Sequence, residues 1–164
     1  MNPRMKISLA IAAVTLVAAD WLSKVWVIRE MSIGEMFAVL DGWLYFVHRK
    51  NPGVAFSMFA DLPDAWRTPL LAGVSAVGVV LFWRILVTSD DRWVEWAAAV
   101  VMAGAIGNLG DRLLNGHVTD FVLVSFFPFV FNVADAAITV GGVLLAARLL
   151  FADSSAEEPA RVTG

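Results

Sequence analysis

The stretch Pro69–Val87 reads PLLAGVSAVGVVLFWRILV and holds a single charged residue, Arg84, near its end. A helix that crosses the hydrocarbon core of a bilayer needs about 20 predominantly apolar residues. The stretch has the length and the composition of such a helix, and it therefore predicts a transmembrane span.

Three further stretches have the same character, with one or two charged residues in each: Ile7–Val27, Trp93–Gly110 and Pro128–Phe151. The chain has 164 residues and is 59% hydrophobic, whereas a soluble domain is about 45–50% apolar. Several tryptophans lie near the ends of the predicted spans, where membrane proteins carry an aromatic belt. We therefore expect an all-α membrane protein with four transmembrane helices.

The segment between the first two spans, residues 28–68, predicts a different structure. Phe37–Leu40 and Gly42–Val47 are rich in aromatic and aliphatic residues and flank a turn signal. They predict a small β-sheet domain that rests on the membrane. We expect residues 1–151 to form one membrane-embedded domain and the small, acidic residues of 152–164 to form a disordered tail.

The composition excludes several kinds of chemistry. The chain has no cysteine, which excludes disulfides, thiolate metal ligands and cysteine nucleophiles. Its two histidines, His48 and His117, have no metal-ligand spacing, so we expect neither a metal nor another cofactor. The net charge of −3 gives no indication of nucleic-acid binding.

Ionisable residues inside apolar spans are costly and by default mark a functional site. Asp20 and Lys24 are four residues apart, on one helix face and in the favourable order of acid before base. Two interpretations stay open for this pair. It neutralises itself near the membrane surface, or it supports an active site.

The end of the third span combines small and polar residues. Glycines recur there every three residues, at Gly104, Gly107 and Gly110. This spacing is typical of close helix packing, but packing does not require the polar residues that follow. Asn108 and Asp111 share a helix face, and the planar guanidinium of Arg112 suits carbonyl or carboxylate oxygens.

Two more aspartates flank the start of the fourth span. Asp120 lies between apolar neighbours, and Asn132 with Asp135 has the spacing of a helix N-cap and its acidic partner. Two carboxyls that approach closely in an apolar setting cannot both ionise, so one keeps its proton. Such a pair hydrolyses peptides without cysteine, a serine–histidine pair or a metal. It titrates as a unit, so we assign neither carboxyl as acid or base.

Five segments together resemble the motifs of bacterial lipoprotein signal peptidase, signal peptidase II: Asp20–Lys24, Asn51–Ser57, Gly107–Arg112, Val118–Phe121 and Phe131–Asp135. They occur in the family's order and cover nearly the whole chain apart from the tail. The resemblance implies a four-helix aspartyl protease of the bacterial inner membrane, with both termini cytoplasmic and the sheet and active site at the extracytoplasmic face. It implies cleavage of prolipoprotein signal peptides before a diacylglyceryl-modified cysteine. Membrane lipids and globomycin-type cyclic peptide inhibitors are the further partners it implies.

The resemblance also implies roles for single residues. Asp120 and Asp135 match the catalytic aspartates, and Asp111 matches a structural position that we expect to organise Arg112. The positions implied to hold substrate and globomycin are Asn51, Asn108, Arg112 and Asn132. Further support of the site is expected from Gly53, Gly107, Asp20 and Lys24.

Several alternatives accompany this interpretation. The apolar run that ends in Val17-Ala18-Ala19 has the features of a cleavable signal peptide, but the resemblance implies that the first span is retained. Pro52, Gly110 and the short interval between the two catalytic positions depart from the family pattern and affect the expected shape of the loops. A proton- or ion-coupled transporter and a structural membrane subunit are the competing classes of protein. Lysine and arginine are nearly balanced on the two sides of the membrane and do not decide the orientation.

Overall fold

The computed structural model describes residues 3–53 and 62–152 of the chain. This part contains four helices and four strands, in the order α1 (Pro3–Glu30), β1 (Met36–Leu40), β2 (Leu44–Asn51), α2 (Asp64–Thr88), α3 (Arg92–Asn115), β3 (Val118–Val124), β4 (Val130–Phe131) and α4 (Val133–Ala152). All four helices are long and apolar enough to cross a membrane. The predicted class of fold, four spans with a small sheet, is confirmed. Residues 54–57 of the second motif and the predicted tail beyond Ala152 lie outside the described residues.

The third helix is longer than predicted. It continues beyond Gly110, so Asp111 and Arg112 belong to the helix rather than to the connection that follows it. The helix ends where Gly116 adopts a left-handed conformation with φ of 74° and donates its N–H to the Arg112 carbonyl oxygen. Glycine adopts this conformation without the steric cost that a side chain brings. The polar residues at the end of the third span, Asn108, Asp111 and Arg112, therefore lie in regular helix.

The four strands form one antiparallel sheet in the order β1-β2-β3-β4. β1 and β2 confirm the hairpin predicted between the first two spans. β3 and β4 come from the connection between α3 and α4, for which the sequence predicts no strand. The predicted start of the fourth span at Pro128 is wrong, because Val130–Phe131 pairs with β3 before the helix begins.

Helix α3 occupies the centre of the molecule and contacts the other three helices and β3. In its apolar window 56% of the residues are buried, against 17% in each of the other three spans. Its small residues Ala97, Ala98 and Ala103 are almost fully buried. Small side chains let neighbouring helices approach closely, which is how helices associate in a bilayer.

Two glycines set the closest approach of α3 and α4. A Cβ at Gly104 would collide with the backbone carbonyl of Ala134 in α4. A Cβ at Gly141 in α4 would lie 2.7 Å from Cγ2 of Val101 in α3. Gly110 has open space around its Cβ position, so the packing interpretation of the glycine stripe holds for Gly104 and not for Gly110.

The outward faces of α1, α2 and α4 are apolar. Val14, Val77 and Val143 are each more than 60% exposed on the isolated chain. Such faces are favourable against lipid and costly against water. With polar groups inside and apolar groups outside, the chain is a multi-pass membrane protein.

We expect Gly141→Ala to lower the thermal stability of the protein in detergent, because the added methyl group must displace Val101 or the α3 backbone. Overpacking of this kind costs about 1–3 kcal/mol. Gly142→Ala is the matched control, since a Cβ there meets nothing within 4 Å and alanine favours a helix by about 1 kcal/mol. Melting temperatures from heating and size-exclusion chromatography measure both variants. Equal melting temperatures would contradict the close approach of the two helices.

Candidate active site

Asp120 lies in β3 and is only 2% exposed. Its Oδ2 accepts a hydrogen bond of 2.8 Å from Nδ2 of Asn51, the last residue of β2. Its Oδ1 accepts one of 2.7 Å from Nδ2 of Asn132, the residue before α4. The strand register explains the first bond, because Asn51 pairs with Val118 and Arg49 with Asp120, which places Asn51 diagonally opposite on the same face.

The surroundings of Asp120 favour its protonated form. Burial, followed by the negative charge of Asp135, raises the pKa of the Asp120 carboxyl from an ordinary 3.8 to about 7. The hydrogen bonds from Asn51 and Asn132 oppose the shift, because they stabilise the ionised form. A proton is therefore held at this carboxyl up to neutral pH.

Asp135 lies in the first turn of α4 and is held by α3 and by its own helix. Its Oδ1 accepts a hydrogen bond of 2.7 Å from Nδ2 of Asn108. Its Oδ2 accepts a longer one of 3.4 Å from the Asn132 backbone N–H, while Asn132 Oδ1 accepts from the Asp135 N–H at 2.9 Å. This reciprocal pair is a capping box. The predicted N-cap is confirmed, and the cap also fixes the orientation of the carboxyl.

Asn132 joins the two aspartates and is fully buried. Its side-chain amide donates to Asp120, and its side-chain carbonyl caps α4 at Asp135. The same Nδ2 lies 3.3 Å from Oδ1 of Asn108 and 3.4 Å from the carbonyl oxygen of Thr119. One asparagine thus holds both carboxyls in a single hydrogen-bonded cluster.

Lys24 of α1 is buried against this cluster. Its Nζ lies 2.8 Å from Oδ2 of Asp20 and 3.6 Å from Oδ2 of Asp111, and it donates a hydrogen bond of 3.0 Å to Oδ1 of Asn108. An ammonium group only donates, so the Asn108 amide is fixed with its oxygen toward Lys24 and its nitrogen toward Asp135. Asp20 and Lys24 form the ion pair that the sequence predicts, and each is only 2% exposed.

Asp20 connects α1 to the start of α4. Its Oδ1 accepts a hydrogen bond of 2.9 Å from the Ala134 N–H, one of the backbone donors that a helix leaves unpaired in its first turn. A Cβ at Gly107 would lie 2.5 Å from Asp20 Oδ2, so glycine is required where this carboxylate lies against α3.

Asp111 holds the chain that leads into β3. Its Oδ1 accepts from Nδ2 of Asn115 and its Oδ2 from the N–H of Thr119, both at 2.6 Å. The expectation that Asp111 organises Arg112 is wrong, because consecutive residues of a helix do not face each other. Within the described residues no hydrogen bond or ion pair joins their side chains. Asp111 instead positions the backbone directly before Asp120.

Arg112 links α3 to the end of β2. Its Nη2 donates to the Gly53 carbonyl oxygen at 3.0 Å, and its Nη1 lies 3.4 Å from Oγ of Ser75 in α2. The Gly53 N–H donates in turn to Oδ1 of Asn51 at 3.0 Å. This contact leaves the Asn51 amide nitrogen directed at Asp120, so Arg112 and Gly53 position that hydrogen bond.

The fold brings every residue predicted for the site into one cluster between α1, α3, α4 and the sheet. Four partners within it were not predicted from the sequence: Ser75, Asn115, Thr119 and Ala134. Ser75 offers a signal, because it is a polar residue within the apolar span of α2, and Asn115 lies one helical turn after Asp111. Thr119 and Ala134 contribute backbone groups, for which a sequence carries no signal.

Known proteins resemble this chain closely in sequence. A model of the family described as signal peptidase (SPase) II matches residues 12–151. The chain is 39% identical over 140 residues to a lipoprotein signal peptidase of Pseudomonas syringae pv. tomato, a match that covers 81% of this chain and 80% of that protein. It is 37% identical over 145 residues to a lipoprotein signal peptidase of Pseudomonas aeruginosa, with 84% and 85% covered.

The fold gives an independent match. A solved structure described as a bacterial membrane enzyme, determined by the in meso method at 2.3 Å resolution, has a TM-score of 0.82 to this chain. That match covers 94% of each chain at 26% identity. On the family match and on relatives more than one-third identical over four-fifths of its length, the chain belongs to the signal peptidase II family.

Proposed function

We propose that this chain removes the signal peptides of prolipoproteins, cutting before a diacylglyceryl-modified cysteine, with Asp120 and Asp135 as the catalytic pair. One observation carries the proposal: the buried carboxyl of Asp120 and the partly buried carboxyl of Asp135 are tied to a single asparagine, Asn132, in a member of a signal peptidase family. The raised pKa of Asp120 supports a proton shared by this pair at neutral pH.

A pair of carboxyls with one proton supplies both proton transfers that amide hydrolysis requires. The ionised carboxyl takes a proton from water, whose oxygen bonds to the scissile carbonyl carbon. The protonated carboxyl polarises the carbonyl and then protonates the amide nitrogen, so that the C–N bond breaks. The amides of Asn51, Asn108 and Asn132 orient the carboxyl oxygens through N–H donors that do not themselves titrate.

The burial of Asp120 strengthens these interactions. Phe121, the next residue of β3, points to the opposite face of the sheet and is 3% exposed, packed with Val27 and Met31 at the end of α1. Its ring also meets Phe46 edge to face at 5.8 Å. Low polarity increases the effect of a fixed charge or dipole on a polarised amide.

The position of the pair suits a substrate that carries lipid. Asp120 lies in the sheet, outside the spans, and Asp135 lies in the first turn of α4. A peptide bond next to a lipid-modified residue enters such a site from the membrane boundary. We propose that this boundary is extracytoplasmic, that both termini are cytoplasmic and that globomycin-type peptides compete with substrate for the donors of Asn51 and Arg112.

We expect Asp120→Asn and Asp135→Asn each to reduce precursor cleavage by at least about 10³-fold, as loss of one member of a catalytic unit does. The double variant is expected to be little worse than either single variant, because the two carboxyls act together. Both singles are expected to fold, since an amide replaces many of the hydrogen bonds. The measurement is a gel-shift assay on a lipidated precursor, with folded yield from gel filtration.

Asp91→Asn is the control for the loss of a carboxylate. Asp91 caps α3 at the end of the helix remote from the pair and bonds to Arg148, and asparagine is an equally good cap. This variant should keep its turnover. Substantial turnover by a folded Asp120→Asn or Asp135→Asn protein would refute the catalytic pair.

Cleavage is expected to fall as the pH rises through about 7. The pKa of Asp120 is raised to about 7, so the shared proton is present below that pH and lost above it. Asn51→Ala removes a hydrogen bond to the ionised carboxyl and should move the alkaline limb to higher pH, with lower turnover. Initial rates from pH 5 to 9 test this. Activity that keeps rising from pH 7 to 9 would contradict a shared proton.

Arg112→Lys is expected to lower turnover by about tenfold to a hundredfold, because a charge-assisted hydrogen bond is worth about 1.5–3 kcal/mol and a single ammonium cannot reproduce a planar fork. The contacts at stake are those with Gly53 and Ser75. Arg148→Lys, at a half-exposed ion pair with Asp91, is the control and should have little effect. Wild-type rates in folded Arg112→Lys would show that only the charge matters.

A further inference from the structure

A cavity of about 330 Å³ lies at the carboxyl end of α1, between that helix, β2 and the start of β3. Lys50 of β2 lines it, whereas the next residue, Asn51, bonds to Asp120. Successive residues of a strand point to opposite faces. The cavity is therefore on the reverse side of the β2–β3 ribbon from the candidate active site.

The polar side of the cavity consists of hydrogen-bond donors and titratable nitrogen bases: Ser32, His48, Lys50, Asn115 and His117. No aspartate or glutamate is among its lining residues. Asn115 uses one amide proton on Asp111 and has a second one available. A lining of this kind is complementary to an anionic oxygen ligand.

His48 supplies a second, independent observation. It is 4% exposed, and its Nδ1 donates to the Met31 carbonyl oxygen at 2.8 Å. Its Nε2 is buried and has no hydrogen-bond partner within residues 5–53 and 62–151. A buried polar atom without a partner costs about 1–3 kcal/mol. A ligand that occupies the cavity gives Nε2 the hydrogen-bond partner that it lacks.

The other side of the cavity is apolar and lies at the end of a span. Ile28, Met31 and Ile33 line it, and Ile33 is 64% exposed on the isolated chain. The span of α1 ends at Glu30. Beyond the end of a span lies the headgroup region, which adds about 5–8 Å on each side of the hydrocarbon core. The cavity therefore opens at the level at which lipid phosphates are found.

We propose that this cavity binds the phosphate of an anionic phospholipid, with Lys50, His48 and His117 at the phosphate and Ile28 and Ile33 along the start of the lipid tails. The two histidines that line the cavity, His48 and His117, take no part in the proposed cleavage reaction.

The charges around the cavity agree with an anion there. Burial lowers the pKa of His117, and the positive charges of Lys50 and His48 lower it further, while a hydrogen bond with the Asn115 backbone and the charge of Asp111 oppose the shift. A bound anion relieves this repulsion. The carboxyl end of α1 carries a partial negative charge. The ring Nδ1–H of His48 donates to the Met31 carbonyl oxygen at this end and offsets part of that charge.

The test uses the full chain in detergent, with isotope-labelled histidine. The chain has only two histidines, so two ring signals are observed by NMR and His117→Gln assigns them. Short-chain phosphatidylglycerol, short-chain phosphatidylcholine and inorganic phosphate are titrated separately at constant ionic strength. We expect phosphatidylglycerol to shift both signals saturably and to raise the pKa of His117. Phosphatidylcholine should have little effect, and phosphate should require at least about tenfold higher concentration.

Two variants make the test specific. Lys50→Gln should weaken phosphatidylglycerol binding by about tenfold or more, the loss of a charge-assisted hydrogen bond. Arg29→Gln removes the same charge from the end of α1 at a residue that does not line the cavity, and it should change the half-saturation less than twofold. Equal responses to lipid and inorganic phosphate would replace the lipid site with a free-phosphate site. The absence of a saturable shift, an equal response to phosphatidylcholine, or equal effects of the two variants would overturn the proposal.

Discussion

The ammonium group of Lys24 is buried in the middle of the protein, and the polar groups of the site are arranged around it. It pairs with Asp20 and Asp111 and fixes the amide of Asn108, which holds Asp135. Removal of one partner from a buried ion pair costs about 3–5 kcal/mol, because the other charge is left uncompensated. The Lys24 ammonium thus links α1 to α3. Through Asp111 and Asn108 it also reaches the residues that position Asp120 and Asp135.

The charge balance of the cluster explains why a proton is retained in it. Two cations, Lys24 and Arg112, face four carboxyls: Asp20, Asp111, Asp120 and Asp135. If all four carboxyls ionise, two negative charges remain uncompensated, and one proton halves this excess. Uncompensated charge is costly in apolar surroundings. Burial, together with the negative charge of Asp135, therefore raises the pKa of Asp120.

Long apolar runs made the four spans predictable, because lipid requires a continuous length of apolar helix. The strands β3 and β4 were not predictable in the same way, since Thr119 and Asp120 interrupt the apolar pattern of β3 and β4 has two residues. The direction of the Asp111 side chain depends on whether Asp111 belongs to α3. The helix includes Asp111 because it ends only at Asn115, where Gly116 adopts a left-handed conformation. Membership of a peptidase family excludes the transporter and the structural subunit, which the spacing of charges alone left open.

The hydrogen bonds of the α4 cap fix the number of residues from Asn132 to Asp135. The number of residues in the turn between β3 and β4, before Asn132, is not fixed in this way. An inserted residue between Asn132 and Asp135 would turn the carboxyl by about 100° around the axis of α4 and away from Asn108. The turn between β3 and β4 makes backbone hydrogen bonds with Trp43 and Val124, away from both aspartates. Residues inserted in that turn leave the strand pairs around it in register. Homologous chains can therefore differ in the size of the turn between β3 and β4, while the spacing from Asn132 to Asp135 stays constant.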